Sequence, residues 1–177
     1  MIVTDPPLLR VSVVGGESTG KSTLVAALAE HYQTTHAAEF ARDYLLKHGS
    51  EYEPGQAALL AQGQIQREQD AAEHAHRVVF TDTDALTTML WSEYYFGLAH
   101  PDVQQLAREH RHDLYILCGH ELAWEDDGLR RSPGSADWFD TRLQQLLSDW
   151  NRPYVRVTGG VAERLAQATQ AVDRLLS

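Results

Sequence analysis

The sequence predicts an α/β domain, a parallel β-sheet with helices on both faces, organised around a phosphate-binding loop. Three observations predict it. An apolar, β-branched run from Leu9 to Val14 leads into Gly15-Gly16-Glu17-Ser18-Thr19-Gly20-Lys21-Ser22-Thr23, which fits the P-loop pattern G-x-x-x-x-G-K-[ST]. Leu24, Leu28 and Tyr32, with Val25 and Ala29 beside them, follow at helical spacing, so the loop joins a strand to a helix. Strand-like apolar runs then alternate with helical patterns to the end of the chain, as in a parallel sheet covered on both sides.

The letters of the loop meet its physical demands. Backbone N–H groups must wrap an anion, so glycine is needed where a Cβ would collide or φ must be positive. The helix that follows points its free N–H groups and positive dipole end at the phosphates. Lys21 can reach the β- and γ-phosphates, and the Ser22 hydroxyl can ligate Mg²⁺. Gly16-Glu17-Ser18-Thr19-Gly20 also fits G-x-S-x-G, the nucleophile elbow of an α/β-hydrolase, with Ser18 as nucleophile. That reading leaves no room upstream for the strand and loop that supply half an oxyanion hole, and it leaves Lys21 and Ser22 unexplained.

Composition sets the outer limits. The 177 residues suffice for one compact domain. A formal charge of −10 makes the chain a poor general binder of nucleic acid or anionic membrane. Local Lys, Arg and backbone groups, with Mg²⁺, must therefore attract ATP. The single cysteine, Cys118, lies in the apolar run Leu114 to Cys118 and reads as a buried small hydrophobe. With no internal disulfide possible, no membrane-length apolar stretch and no signal-peptide start, the expected location is the cytoplasm.

In order, residues 1–8 read as a short lead-in closed by Pro6-Pro7, and Leu9 to Val14 as strand one. Thr34 to Ala38 reads as a short second strand ending at Glu39. Phe40 to His48 reads as a helix stopped by Gly49. Glu53-Pro54-Gly55 is punctuation. Gln56 to His76 is polar with few large apolar residues, so it reads as one amphipathic helix, lightly anchored and mobile. Val78 to Asp84 reads as a third strand ending in carboxylates, Ala85 to Tyr95 as a helix, and Pro101 opens another through Glu109. Leu114 to Cys118 is the fourth strand, and Gly119 to Ser135 a charged loop. The spacing of Phe139, Leu143, Leu146, Leu147 and Trp150 predicts a helix. Tyr154 to Thr158 is the fifth strand, and Leu165, Ala168, Val172, Leu175 and Leu176 mark a closing helix. The chain reads as a single domain, 1–177, with a lid at about 119–136.

Ligands of such sheets bind at the carboxyl ends of the strands, where the P-loop, Glu39, Asp82 and Asp84 all fall. Asp82 fits a Walker B acid that orients Mg²⁺ with Ser22, through phosphates and water. Asp84 is read as touching substrate; the competing role for either acid is an N-cap of the next helix. Glu39 is placed across from the γ-phosphate, where phosphoryl transfer needs a group to accept or orient the acceptor's hydroxyl proton. Arg42, one turn on, can pair with Glu39 or hold a phosphate. Arg130, ahead of Arg131, is read as the lid cation for the transition state. The cluster Trp91, Tyr94, Tyr95 and Phe96 reads mainly as core, with one or two rings left for a substrate pocket. The nine histidines show no ligand spacing and read as solvated, with no metal site built from protein ligands. Asn151, the only asparagine, does not belong to a guanine-reading Asn-Lys-x-Asp element. A small-molecule kinase and a regulatory ATPase module remain, and the lid and strand-end acids favour the kinase.

These residues carry a resemblance. The P-loop, Glu39 to Tyr44, Thr81-Asp82-Thr83-Asp84 with Thr87-Thr88, His100-Pro101, and Trp124 with Asp127-Gly128-Leu129-Arg130 together resemble the ribosylnicotinamide kinase domain of NadR-type proteins. The resemblance implies a P-loop kinase fold with a five-stranded parallel sheet. It implies transfer of the ATP γ-phosphate to the 5′-hydroxyl of nicotinamide riboside, or of a similar nucleoside, to give the mononucleotide. It also places Tyr95, Trp124 and Asp127 with Glu39, Arg42 and Asp84 around the substrate. The family usually carries an aromatic residue before its Glu. Here that position is Ala38, which leaves Trp124 or Tyr95 to stack on a pyridinium. The number of chains that assemble is not legible.

Overall fold

The computed structural model describes residues 7–49 and 51–177. Most of the expected lead-in, residues 1–6, lies outside the described residues. Five strands form one sheet in the order β2-β3-β1-β4-β5, and every pairing is parallel. The strands are β1 (Leu9–Val14), β2 (His36–Ala37), β3 (Val78–Asp82), β4 (Leu114–Cys118) and β5 (Tyr154–Val157). The helices are α1 (Lys21–His31), α2 (Phe40–His48), α3 (Ala57–Ala72), α4 (Ala85–Phe96), α5 (Pro101–Glu109), α6 (Ser135–Asp149) and α7 (Val161–Leu176).

The period-two alternation of the strands divides the core. Val11, Val13, Phe80 and Ile116 pack with Leu24 and Leu28 of α1 and Val172 of α7. Val14, Tyr115 and Leu117 face the other way, against Leu90 of α4 and Phe139 and Leu143 of α6. β1 lies between β3 and β4, with Val11 opposite Phe80 on one side and Leu114 on the other. The connections therefore reverse direction at β1. A crevice opens outside the carboxyl end of the strand where that happens, and the P-loop sits there.

Several boundaries differ from expectation, each for a local reason. β2 is only two residues long, because side chains take over its neighbours. Thr34 Oγ1 donates to Val78 O at 2.6 Å and accepts from His76 N at 2.9 Å, while Thr35 Oγ1 donates to Ala71 O at 2.7 Å. β3 stops at Asp82 because Thr83 adopts φ 66°, and β5 stops at Val157. α4 continues to Phe96, where Gly97 at φ 77° closes it. α6 starts at Ser135, before its first large apolar residue, behind Gly134 at φ 87°.

The expectation of a lightly anchored α3 is overturned. The helix ends at Ala72 and is fixed by buried polar contacts as well as by Ala57, Leu60 and Ala61 in the core. Gln64 and Glu68 are both buried. Glu68 accepts from Arg10 Nη1 at 2.7 Å and meets His112 Nε2 at 2.7 Å. The reading of the histidines as solvated is corrected by the same contact. His112 is buried, with Nδ1 3.3 Å from the Tyr115 hydroxyl and 3.7 Å from Asp84 Oδ2. Glu68, His110 and His112 bring potential ligand atoms within 4.8 Å of one another, and none of the three lines the crevice. Burial alone would raise the Glu68 carboxyl. The His112 hydrogen bond and charge, followed by His110 and Arg10, instead hold it at about 2. Burial, then the His112 charge, lowers the His110 imidazole. Cys118 is buried as expected, and burial pushes its thiol up to about 11.

Candidate active site at the carboxyl ends of the strands

The P-loop closes on itself and on its neighbours. Gly20 at φ 79° turns the chain into α1. A Cβ at Gly16 would fall 2.6 Å from Ala136 Cα, so glycine lets α6 pack directly against the loop. Thr19 Oγ1 and Lys21 Nζ both donate to Gly16 O, at 2.9 and 2.6 Å. Arg164, from α7, is a buried cation beneath the loop. It donates to Thr19 O at 2.5 Å, Gly159 O at 2.7 Å and Glu121 Oε1 at 2.7 Å. Sequence reasoning missed Arg164, which stands beside the apolar stripe of α7 and carries no pattern of its own.

At the floor of the crevice the Ser22 hydroxyl donates to Asp82 Oδ2 at 2.5 Å. Asp82 is 4% exposed and its Oδ1 has no partner among the described residues. A hydroxyl and a buried carboxylate oxygen side by side are the donor set a hard divalent cation takes. Glu39 precedes α2 at the N-cap position, but its side chain makes no capping bond and lines the crevice instead. Burial, then the charge of Asp82, pushes its carboxyl up to about 7, against the opposing pull of Lys21 and Arg42. Glu39 is therefore a carboxyl poised to exchange a proton near neutrality.

The loop at 119–134 lies docked on the P-loop, and Glu17 holds it. Glu17 Oε2 accepts from Trp124 Nε1 and Ser132 N, each at 3.1 Å, and Oε1 accepts from Arg131 N at 3.4 Å. The Ser18 hydroxyl accepts from Glu125 N at 3.0 Å. It also donates to Glu125 O at 3.4 Å; both contacts are with backbone, where a hydrolase nucleophile needs an imidazole. Arg130 lines the crevice, with Nη1 donating to Glu125 O at 2.9 Å and Nε 3.4 Å from Asp127 Oδ2. Asp127 also accepts from the N–H groups of Leu129 and Arg130, at 3.1 and 3.0 Å.

Of the site residues read from sequence, Glu17 to Thr23, Glu39, Arg42, Tyr95 and Arg130 line one crevice. Gly15 and Gly16 are buried behind it, and Asp82 joins it through Ser22. Three residues expected at the substrate are not among the lining. Asp84 is 1% exposed and caps α4, its Oδ1 accepting from Thr87 N at 2.9 Å and Thr87 Oγ1 at 3.0 Å. The positive φ of Thr83 turns the chain at that point, so only the first acid of the strand tip faces the P-loop. Trp124 is directed to Glu17, and Asp127 is held by Arg42 and Arg130.

The wall opposite the P-loop is aromatic. Trp91 and Tyr95, one turn apart on α4, stack at 5.5 Å with 21° between the planes, and Tyr52 meets Tyr95 at 5.6 Å. The Tyr95 hydroxyl is 2.8 Å from Ser132 Oγ, tying this wall to the lid. Tyr52 was missed, just ahead of the Glu53-Pro54-Gly55 punctuation, as was Gln64, in a helix read as polar and lightly anchored. Their signal is three-dimensional. No helix among the described residues is long and apolar enough to cross a membrane.

Residues 10–164 match the AAA_28 family, an AAA domain. The chain is 40% identical over 153 residues to the trifunctional NAD biosynthesis/regulator protein NadR of Escherichia coli K12, covering 83% of this chain and 37% of that protein. A crystal structure of NadR protein in complex with NR superposes with a TM-score of 0.80 at 27% identity, over 94% of this chain and 51% of that one. A second, in complex with NAD and AMP-PNP, gives 0.75 at 24% identity, over 94% of this chain and 49% of that one, and shares the fold. The chain thus spans 37% of the length of the curated relative it matches.

Proposed function

From the premise that this chain belongs to the AAA_28 family, we propose that it is an ATP-dependent nicotinamide riboside kinase. It acts as a single P-loop kinase domain over 1–177, with the loop at about 119–136 as its lid, in the cytoplasm where ATP is at hand. The observation that carries the reading is one crevice with phosphate machinery on one side and a carboxyl plus stacked rings on the other. Lys21, Ser22 and Asp82 form the first side, and Glu39, Tyr52, Trp91 and Tyr95 the second. The NadR structure in complex with NR supports the choice of acceptor.

The residues divide the work. P-loop N–H groups hold the ATP phosphates, and Lys21 exchanges its bond to Gly16 O for a phosphate oxygen. Ser22 and Asp82, whose Oδ1 is buried without a partner, would hold Mg²⁺. Bound there, that ion would neutralise phosphate charge during transfer. Glu39 accepts the proton of the 5′-hydroxyl as its oxygen bonds to the γ-phosphorus and the bond to the bridging oxygen of ADP breaks. Arg130 supplies positive charge to the equatorial oxygens. Arg42 is held in the acceptor half of the crevice by its pairing with Asp127. The test is ATP-dependent phosphorylation across a nucleoside panel. ADP and nicotinamide mononucleotide should form together. No phosphorylation of any nucleoside would sink the kinase reading.

A further inference from the structure

Glu39 carries the proton in the reading above, yet no hydrogen bond of α2 fixes its side chain. What fixes its backbone is α3. Phe40 N donates to Gln64 Oε1 at 2.7 Å, and Gln64 Nε2 lies 3.4 Å from Ala38 O. Arg67, one turn further along α3, donates from Nη1 to Glu39 O at 3.1 Å, with its guanidinium over the Phe40 ring at 5.1 Å. The peptide groups on both sides of Glu39 are thus held by one helix. Gly63 completes the fit, since a Cβ there would fall 2.3 Å from the Phe40 ring.

Gln64 also reaches the opposite side of the crevice. Its Nε2 donates to Thr81 Oγ1 at 2.9 Å, and Thr81 Oγ1 donates to Thr83 O at 3.0 Å. Thr81 and Thr83 flank Asp82. The orientation of the amide is forced: Phe40 N can only donate, so it must face the carbonyl oxygen of Gln64. Gln64 is 3% exposed, and its acceptor and both its donors face partners that belong to the two acid-bearing turns.

We propose that Gln64 is a positioning residue that sets the distance between Glu39 and Asp82, and so the distance between the proton acceptor and the phosphate machinery. A buried polar chain with every member paired is rigid, and breaking it leaves groups without partners. The chain runs from the Glu39 turn through Gln64 and Thr81 to the turn after Asp82. Gln64 acts through these two turns without being a proton acceptor itself. Displacing a reacting group by about 1 Å can lower a rate about 10²-fold.

This inference rests on the proposed role of Glu39, and a double-mutant cycle separates the two. Steady-state kinetics with Mg²⁺-ATP and nicotinamide riboside are measured for the full chain, for Glu39→Gln, for Gln64→Met and for the double variant. Gln64→Met keeps the volume and removes all three hydrogen bonds. Expected is a fall in kcat of about 10- to 100-fold, with KM for ATP within about twofold. In the Glu39→Gln background the same change should lower kcat by less than about threefold, because residues acting as one unit are non-additive. Thr81→Val cuts only the link to the Asp82 turn and serves where Gln64→Met fails to fold. Its effect should likewise disappear when Glu39 is absent. A full Gln64→Met or Thr81→Val penalty on top of Glu39→Gln would overturn the inference and leave the role of Glu39 intact. Undiminished kcat in Glu39→Gln would remove that role, and the inference with it.

Discussion

The Arg42 guanidinium meets the Asp127 carboxylate at 2.7 Å, joining the first turn of α2 to the loop over the P-loop. Arg42 is 43% exposed and Asp127 21%, so the pair adds about 0–1 kcal/mol to stability at most. Its consequence is geometric: Asp127 also holds Arg130, and the pair keeps the lid over the crevice. Asp127→Ala should therefore leave the melting temperature almost unchanged. It should lower kcat/KM for the acceptor about three- to tenfold, through KM more than kcat. Thermal melts beside steady-state kinetics check this. A large loss of stability without a kinetic effect would make the pair structural only.

Lys21 is held at 2.6 Å from Gly16 O, a contact that phosphate oxygens would replace in the proposed reaction. Lys21→Ala should lower turnover by at least about 10²-fold, as for loss of a charge-stabilising donor, while the far-ultraviolet spectrum and melting curve stay native. A variant with near-normal turnover would remove the phosphate-binding assignment.

Asp82 and Asp84 stand two residues apart and should fail in opposite ways. Asp82→Asn disturbs the Ser22 contact and the buried Oδ1. It should collapse kcat and shift the Mg²⁺ dependence. Asp84→Ala removes the N-cap of α4, which costs about 0.5–2 kcal/mol of stability. Activity should stay within a few-fold of the parent at a temperature where both are folded. If Asp84→Ala instead raised KM for the acceptor with no change in melting temperature, the cap assignment would fail.

The sequence carried the fold further than it carried the site. Leu9 to Val14 followed by Gly15 to Thr23 fixed a strand, a loop and a helix together, because each letter there answers a steric demand of the backbone. The acids were harder. Asp82 and Asp84 look alike in sequence, and only the positive φ of Thr83 decides which one faces the P-loop. His112 read as solvated, and Gln64 and Glu68 went unremarked in a polar helix, because single polar residues say nothing about partners. The burial of Gln64 and Glu68 is visible only once β3 and β1 bring Thr81 and Arg10 beside them. Tyr52 and Arg164 belong to the same class.

Glu39 makes the pH dependence specific. With its carboxyl pushed up to about 7, kcat/KM should rise with pH through that value as the acceptor form accumulates. Glu39→Gln should abolish that limb. Stability moves the other way. Between the ordinary 4.5 and about 7 the folded protein holds a proton that the unfolded chain has lost. This group's contribution therefore falls as pH rises through that window. Glu68, held at about 2, contributes stability above the ordinary value that is lost as pH falls below it. Melting temperatures from pH 4 to 8 should show a smaller decline in Glu39→Gln than in the parent. An identical decline would place the group's titration elsewhere.

The last prediction concerns the acceptor. Nicotinamide riboside carries a pyridinium, and the crevice wall offers the stacked rings of Trp91 and Tyr95 with Tyr52 behind, none of which replaces Ala38 in sequence. A ring face on a desolvated cation is worth about 0.5–2 kcal/mol, a preference of about two- to thirtyfold over a neutral base. Hydrogen bonds to the ribose and carboxamide must add the rest, since a site built around them rejects analogues that leave its polar groups unpaired. Trp91→Leu should narrow the preference for nicotinamide riboside over uridine, cytidine, thymidine and adenosine. Uridine turnover should change less, because a neutral base draws little on the ring quadrupole. The measurement is kcat/KM for each nucleoside with Mg²⁺-ATP, in the parent and in Trp91→Leu. Equal kcat/KM for all five in the parent would refute the choice of acceptor and leave a kinase of another substrate. An unchanged ratio in Trp91→Leu would assign the discrimination to groups other than this wall.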